Sequence, residues 1–144
     1  MKKILKGLFV LLFLFILSGC TKDYKPITYT KFMETFKSDQ EYLTNDRTPM
    51  MGDQFERFVE ASGKNNQFIF YEFKTEKDAR KYVKLNYKGQ KNFSYRDKKN
   101  CIIVKNTKGK YFHLIQVDKT IIIGNTNIKS NKKEIKRVFK ELGY

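Results

Sequence analysis

Tryptophan is absent from the 144 residues, histidine occurs once, at position 113, and cysteine twice, at 20 and 101. A metal centre needs several His, Cys or carboxylate ligands at workable spacing, and none converges around His113. No Gly-rich phosphate loop is present: Gly-Lys at 63–64 and 109–110 lacks the upstream glycine such a loop requires. No Gly-x-Ser-x-Gly elbow occurs either. Apolar runs long enough to cross a membrane, roughly 20 residues, are also missing. Neither a metal, a cofactor nor a catalytic residue is expected. Internal repeats and low-complexity tracts are lacking too.

What is present begins with the first twenty residues. Met1–Lys6 is a short basic head, Leu8–Leu17 is an unbroken apolar run of ten, and Ser18-Gly19 leads into Cys20. A charged head, an apolar stretch and small residues before a cut site are the parts of an export signal. Leu17-Ser18-Gly19-Cys20 resembles the lipobox of bacterial lipoproteins, matching all four positions. That resemblance implies cleavage between Gly19 and Cys20 and a diacylglyceryl group on the Cys20 thiol. It leaves Cys101 alone, so no intramolecular disulfide is expected. One acyl chain holds a protein only marginally, whereas two or three give lasting attachment. The expected localisation is the extracytoplasmic face of the cell membrane, lipid-anchored and not spanning. The mature part, on Phe68–Tyr82 and the ending Glu141-Leu142-Gly143-Tyr144, resembles small lipoproteins of Gram-positive bacteria.

Charge is strongly uneven. The chain carries +15, of which Lys2, Lys3 and Lys6 belong to the leader. Residues 21–73 hold seven Lys/Arg against nine Asp/Glu, and residues 74–144 hold twenty against six. A basic half attracts anionic surfaces. Outside the membrane the candidates are anionic lipid or wall polymer; export argues against nucleic acid. Lys, Asn, Ile, Phe and Tyr are abundant, so the charge also has a plain compositional reading. The residues expected to meet an anionic surface are Lys77, Arg80, Lys81, Lys84, Lys88, Lys91, Arg96, Lys98 and Lys99.

The domain plan follows: residues 1–19 as a cleaved signal, 20–27 as lipidated Cys and tether, 28–144 as one domain. Thr28–Ser38 reads as a helix, with Phe32, Met33 and Phe36 at helical spacing and Thr28 or Thr30 as cap. Tyr42-Leu43 suggests a brief strand and Asn45–Asp53 a loop, in which Met50-Met51 either offers a contact surface or folds back. Gln54–Ser62 fits a helix or a strand; turn residues at 62–66 and the clear strand Gln67–Phe73 favour a hairpin. Asp53, Glu56 and Glu60 suggest a surface acidic patch. Thr75–Lys88 reads as a helix with a capping pair Thr75/Asp78 and Gly89 at its end. Gly89–Asn100 reads as a basic loop whose Phe93 and Tyr95 either stack on a ligand or pack down. Strands are expected at 101–104, 110–117 and 120–123, the first two paired so that Cys101 meets a residue near 115. A final helix follows, with Asn131 and Glu134 as capping pair, a stripe of Ile135, Val138, Phe139 and Leu142, and Gly143 at its end.

The expected fold class is α+β: an antiparallel sheet of about five strands, helices on one face, in the order α-β-β-α-β-β-β-α. The expected function is a membrane-anchored, non-catalytic binding or accessory module. The alternative is a small cell-envelope enzyme or enzyme inhibitor, for which Cys101 and His113 are the candidate reactive pair.

Overall fold

The computed structural model describes residues 23–39, 41–106 and 108–144. Gly19 and Cys20, the signal sequence and the lipid site lie outside these described residues. Seven strands form one fully antiparallel sheet: β1 (Leu43–Asp46), β2 (Arg57–Ser62), β3 (Asn66–Glu72), β4 (Phe93–Asp97), β5 (Cys101–Asn106), β6 (Tyr111–Val117) and β7 (Thr120–Thr126), in the order β1-β2-β3-β7-β6-β5-β4. Among the described residues three helices accompany it: α1 (Tyr29–Lys37), α2 (Glu76–Tyr87) and α3 (Lys132–Glu141). The class is therefore α+β with an antiparallel sheet. The count of five strands is corrected to seven. β1 extends the brief strand into the expected loop, and β4 occupies the expected basic loop.

The central strands explain a second correction. Phe68-Ile69-Phe70-Tyr71 and Ile121-Ile122-Ile123 are apolar at successive positions, and successive side chains of a strand point to opposite faces. Both faces must therefore be covered. Phe68, Phe70 and Ile122 share a core with Phe32 and Phe36 of α1 and Ile135, Val138 and Phe139 of α3. Tyr71, Ile121 and Ile123 share the other with Ala79 and Val83 of α2, Ile102, Val104 and Leu114. Helices thus lie on both faces, α1 and α3 on one, α2 on the other. Each large apolar side chain buried this way contributes about 1.5–3 kcal/mol.

Local chemistry sets the helix ends. The Thr28 hydroxyl accepts from Lys31 N–H at 3.2 Å and starts α1. At α2, Asp78 N–H donates to Thr75 Oγ1 at 3.1 Å, and the Thr75 hydroxyl donates to the Asp78 carboxylate at 2.6 Å. Asn131 makes no side-chain cap for α3; its amide instead donates to Asn66 Oδ1 at 3.2 Å, so the expected Asn131/Glu134 cap does not form. Gly143 (φ +96°) closes α3, with Tyr144 N–H reaching Phe139 C=O at 2.8 Å and Gly143 N–H reaching Lys140 C=O at 3.0 Å. This is the left-handed glycine ending of a helix. α3 also needs Gly124 beneath it: a Cβ there would stand 2.7 Å from Phe139 Cε2 and 2.9 Å from Ile135 Cγ2.

The sheet has two chemically different ends. One carries the β4–β5 and β6–β7 turns and receives the N-terminal segment. Asn100 donates to the Asp23 carboxylate, Tyr24 meets Tyr144 edge-on at 5.8 Å, and Ile27 is buried. Within the expected tether, residues 23–27 thus lie on the domain. The other end carries the β2–β3 and β5–β6 turns and the start of α3.

Candidate basic cleft

β5 and β6 pair around Gly109 (φ +80°), which places Lys105 opposite His113 and Cys101 opposite Val117 rather than near 115. Beside this turn, the short turn Lys129–Asn131 delivers the chain into α3. The two segments bound an open concavity of about 340 Å³, lined by Lys105, Lys108, Lys129, Lys132 and Lys136, with Asn106, Gly109 and Tyr111. No carboxylate is in the lining. Among the described residues, none of these five lysines takes part in an ion pair. Lys132 instead lies over the Tyr111 ring, 5.1 Å from its centroid.

The acid in the first turn of α3, Glu134, serves the other side of the helix. It holds Arg137 at 2.7 Å, and Arg137 also reaches Glu141 at 2.9 Å and Asp39 at 3.3 Å. Lys132, in the first turn of α3, therefore stands at the positive end of the helix dipole, a placement that costs about 0.3–1 kcal/mol at an exposed position. Burial, then the charges of Arg96, Lys136 and Lys132, lower the Lys105 pKa. Below the lysines, His113 is buried and stacks on Phe139 at 4.3 Å, and neither ring nitrogen has a hydrogen-bond partner. Burial, with Lys105 and Lys136 nearby, pushes its pKa down to about 3, so the imidazole is neutral. A concavity of this composition can hold negative charge by Coulomb attraction and ammonium hydrogen bonds.

The residues expected to meet an anionic surface lie elsewhere. Arg80 joins Glu76 and Asp97 and donates to Lys98 C=O at 3.1 Å, and Lys84 also reaches Asp97, at 3.4 Å. Two of the α2 charges are thus held within the domain. Lys77 and Lys81 are exposed on the same helix, Lys88 caps it, and Lys91 follows in the turn to β4. Arg96 ends up on edge strand β4, and Lys98 and Lys99 occupy the β4–β5 turn. Phe93 packs between Tyr87 (5.2 Å) and Phe112 (5.3 Å), half-buried against the core.

The acidic patch does not form: Glu60 pairs with Arg47 at 2.7 Å and Glu56 with Lys119 at 2.8 Å. Met51 folds back onto the core while Met50 stays exposed. Cys101 is fully buried, its thiol pKa raised by that burial, and it sits four residues along β5 from the partner of His113. At about 3.4 Å per residue, the two are not brought together. Among the described residues no group of three or more His, Cys, Asp or Glu side chains is placed to hold a metal ion. Among them, too, no helix is long and apolar enough to cross a membrane.

The cleft lysines were missed because they come from two stretches far apart in the chain. One signal was legible: Lys129, Lys132, Lys136 and Lys140 recur at helical spacing. Like charges three and four apart repel on a helix.

No family model matches the chain, and no curated protein sequence matches it. Its fold is similar to that of a crystal structure described as a GTP binding regulator from Thermotoga maritima. The two are 15% identical with a TM-score of 0.52, over 83% of this chain and 92% of that one. That likeness identifies a shared architecture, a helix-flanked antiparallel sheet.

Proposed function

We propose that this chain is a lipid-anchored, non-catalytic binding or accessory module at the outer face of the cytoplasmic membrane, holding an anionic partner through its basic half. The anchoring part rests on the sequence Leu17-Ser18-Gly19-Cys20. The binding part rests on one observation: five lysines gather around one concavity with no carboxylate among them. The enzyme alternative draws on Cys101 and His113, and their burial and separation give it no support.

The test uses the full chain and its Cys20→Ala variant. Radiolabelled fatty acid should enter the first and not the second; labelling of the variant would refute attachment at Cys20. The unlipidated variant should be retained on anionic vesicles or wall polymer at low salt and released at high salt, since exposed charges are screened within about 8 Å at 0.15 M. Equal retention on neutral and anionic vesicles at low salt would remove the electrostatic part.

A further inference from the structure

The lysine cleft and the N-terminal segment occupy opposite ends of the sheet. Along β6, Val117 lies at the end that receives the segment and Tyr111 lines the cleft. Six residues of strand at about 3.4 Å each separate them by about 20 Å. Asp23, held by Asn100, is three residues from Cys20, which a chain can span in at most about 11 Å. If Cys20 carries the lipid, the end bearing Asp23 is the one next to the bilayer. The cleft then stands more than two Debye lengths away, beyond the reach of head-group charge at about 0.15 M salt.

The composition of the two ends agrees with this orientation. The hollow beside the tether is lined by Asp23, Glu76 and Asp118 as well as Lys98 and Lys99. Lys119, next to it, is shared by Glu56 at 2.8 Å and Glu72 at 3.0 Å. Charges there are mixed in sign. At the far end the five cleft lysines repel one another without a counter-charge. Lysines act as separate point charges without the planar fork that arginine offers a carboxylate. Several such points along an open groove suit a flexible chain of singly charged groups, each meeting one ammonium.

We infer that the cleft formed by the β5–β6 turn and the start of α3 is a site for the phosphate groups of a polyanionic chain, turned away from the bilayer rather than onto it. The outward orientation rests on the lipid-anchor reading above; the ligand class rests on the cleft alone. Lys105, Lys132 and Lys136 carry the binding, and Lys108 and Lys129 extend it.

The experiment measures short-chain inorganic polyphosphate binding to the full-length protein, first in detergent and then anchored in vesicles. In detergent, the pair Lys105→Gln and Lys132→Gln should weaken binding by about tenfold and flatten its salt dependence. The pair Lys98→Gln and Lys99→Gln, at the tether end, should change it less than about twofold. Equal losses in both pairs, or no loss in the first, would overturn the site. Thermal melts of both pairs establish that folding is retained. Anchored in phosphatidylcholine vesicles, the protein should bind polyphosphate as it does in detergent, and adding phosphatidylglycerol should leave that binding nearly unchanged. Abolition of binding by phosphatidylglycerol would place the cleft on the membrane and refute the orientation. Failure of the wild-type chain to float with vesicles any better than Cys20→Ala would refute the anchor and the orientation with it, while the detergent measurement still decides the cleft.

Discussion

The two ends of one sheet handle charge in opposite ways. At the end that receives Asp23, cations are spent inside the domain: Arg80 on Glu76 and Asp97, Lys119 on Glu56 and Glu72. At the other, five lysines face a shared hollow with no acid. The first arrangement contributes to folding; the second opposes it. Proteins commonly give up stability where a site needs a strained arrangement, so the difference separates charges that hold the fold from charges free to meet something else. Composition alone, which assigns +14 to residues 74–144, treats both alike.

Four changes would break or sharpen this contrast. Gly124→Ala has the largest expected effect at neutral pH, because its Cβ would collide with Phe139 and Ile135. A loss of about 1–3 kcal/mol in urea unfolding is expected. The displaced α3 should also lose polyphosphate affinity while the contacts around Asp23 stay intact.

Next comes His113. Its folded pKa, about 3, lies below the unfolded value of 6.5, so the unfolded chain binds the proton first. Its contribution to stability is present above pH 6.5 and falls by roughly 1.4 kcal/mol per pH unit as pH drops toward 3. His113→Phe should remove that slope; an unchanged pH profile of unfolding would show that burial does not hold this imidazole's pKa below its ordinary value.

A smaller pair of effects has opposite signs. Arg80→Gln should destabilise by about 1 kcal/mol, since the side chain is 19% exposed and engages two carboxylates and a carbonyl. Lys132→Gln should stabilise by about 0.3–1 kcal/mol, by removing a cation from the start of α3. Melting temperatures of the two variants, compared at low and high salt, measure both; a Lys132→Gln protein less stable than wild type would contradict the contrast between the ends.

Much of the fold was legible in local sequence. Thr28 and Thr75 before apolar stripes marked two helices, Gly143 marked the end of the third, and Asp118-Lys119 marked a tight turn, with Asp118 at φ +51°. The strand β4 was hidden because Phe93-Ser94-Tyr95-Arg96-Asp97 is a half-exposed edge strand, whose polar positions read as a loop. The placement of helices on both faces was available in the unbroken runs of β3 and β7, since a one-sided sheet would alternate apolar and polar residues. The hydrophobic stripe of a helix says that it packs, not on which face. The cleft could not be read because its lysines meet only after β5 and β6 close around Gly109 and α3 seats on Gly124.

That seating has a consequence for how the chain is made. β3 pairs with β7 along its whole length, from Asn66↔Thr126 to Glu72↔Thr120. β3 therefore waits for a partner that appears roughly fifty residues later. At about 5–20 residues per second, this is a delay of some seconds. Throughout it, Phe68-Ile69-Phe70-Tyr71 presents an apolar, unpaired strand edge, the kind that invites pairing with another chain. The nascent polypeptide is thus most exposed to wrong pairing until Thr120–Thr126 emerges and covers that edge.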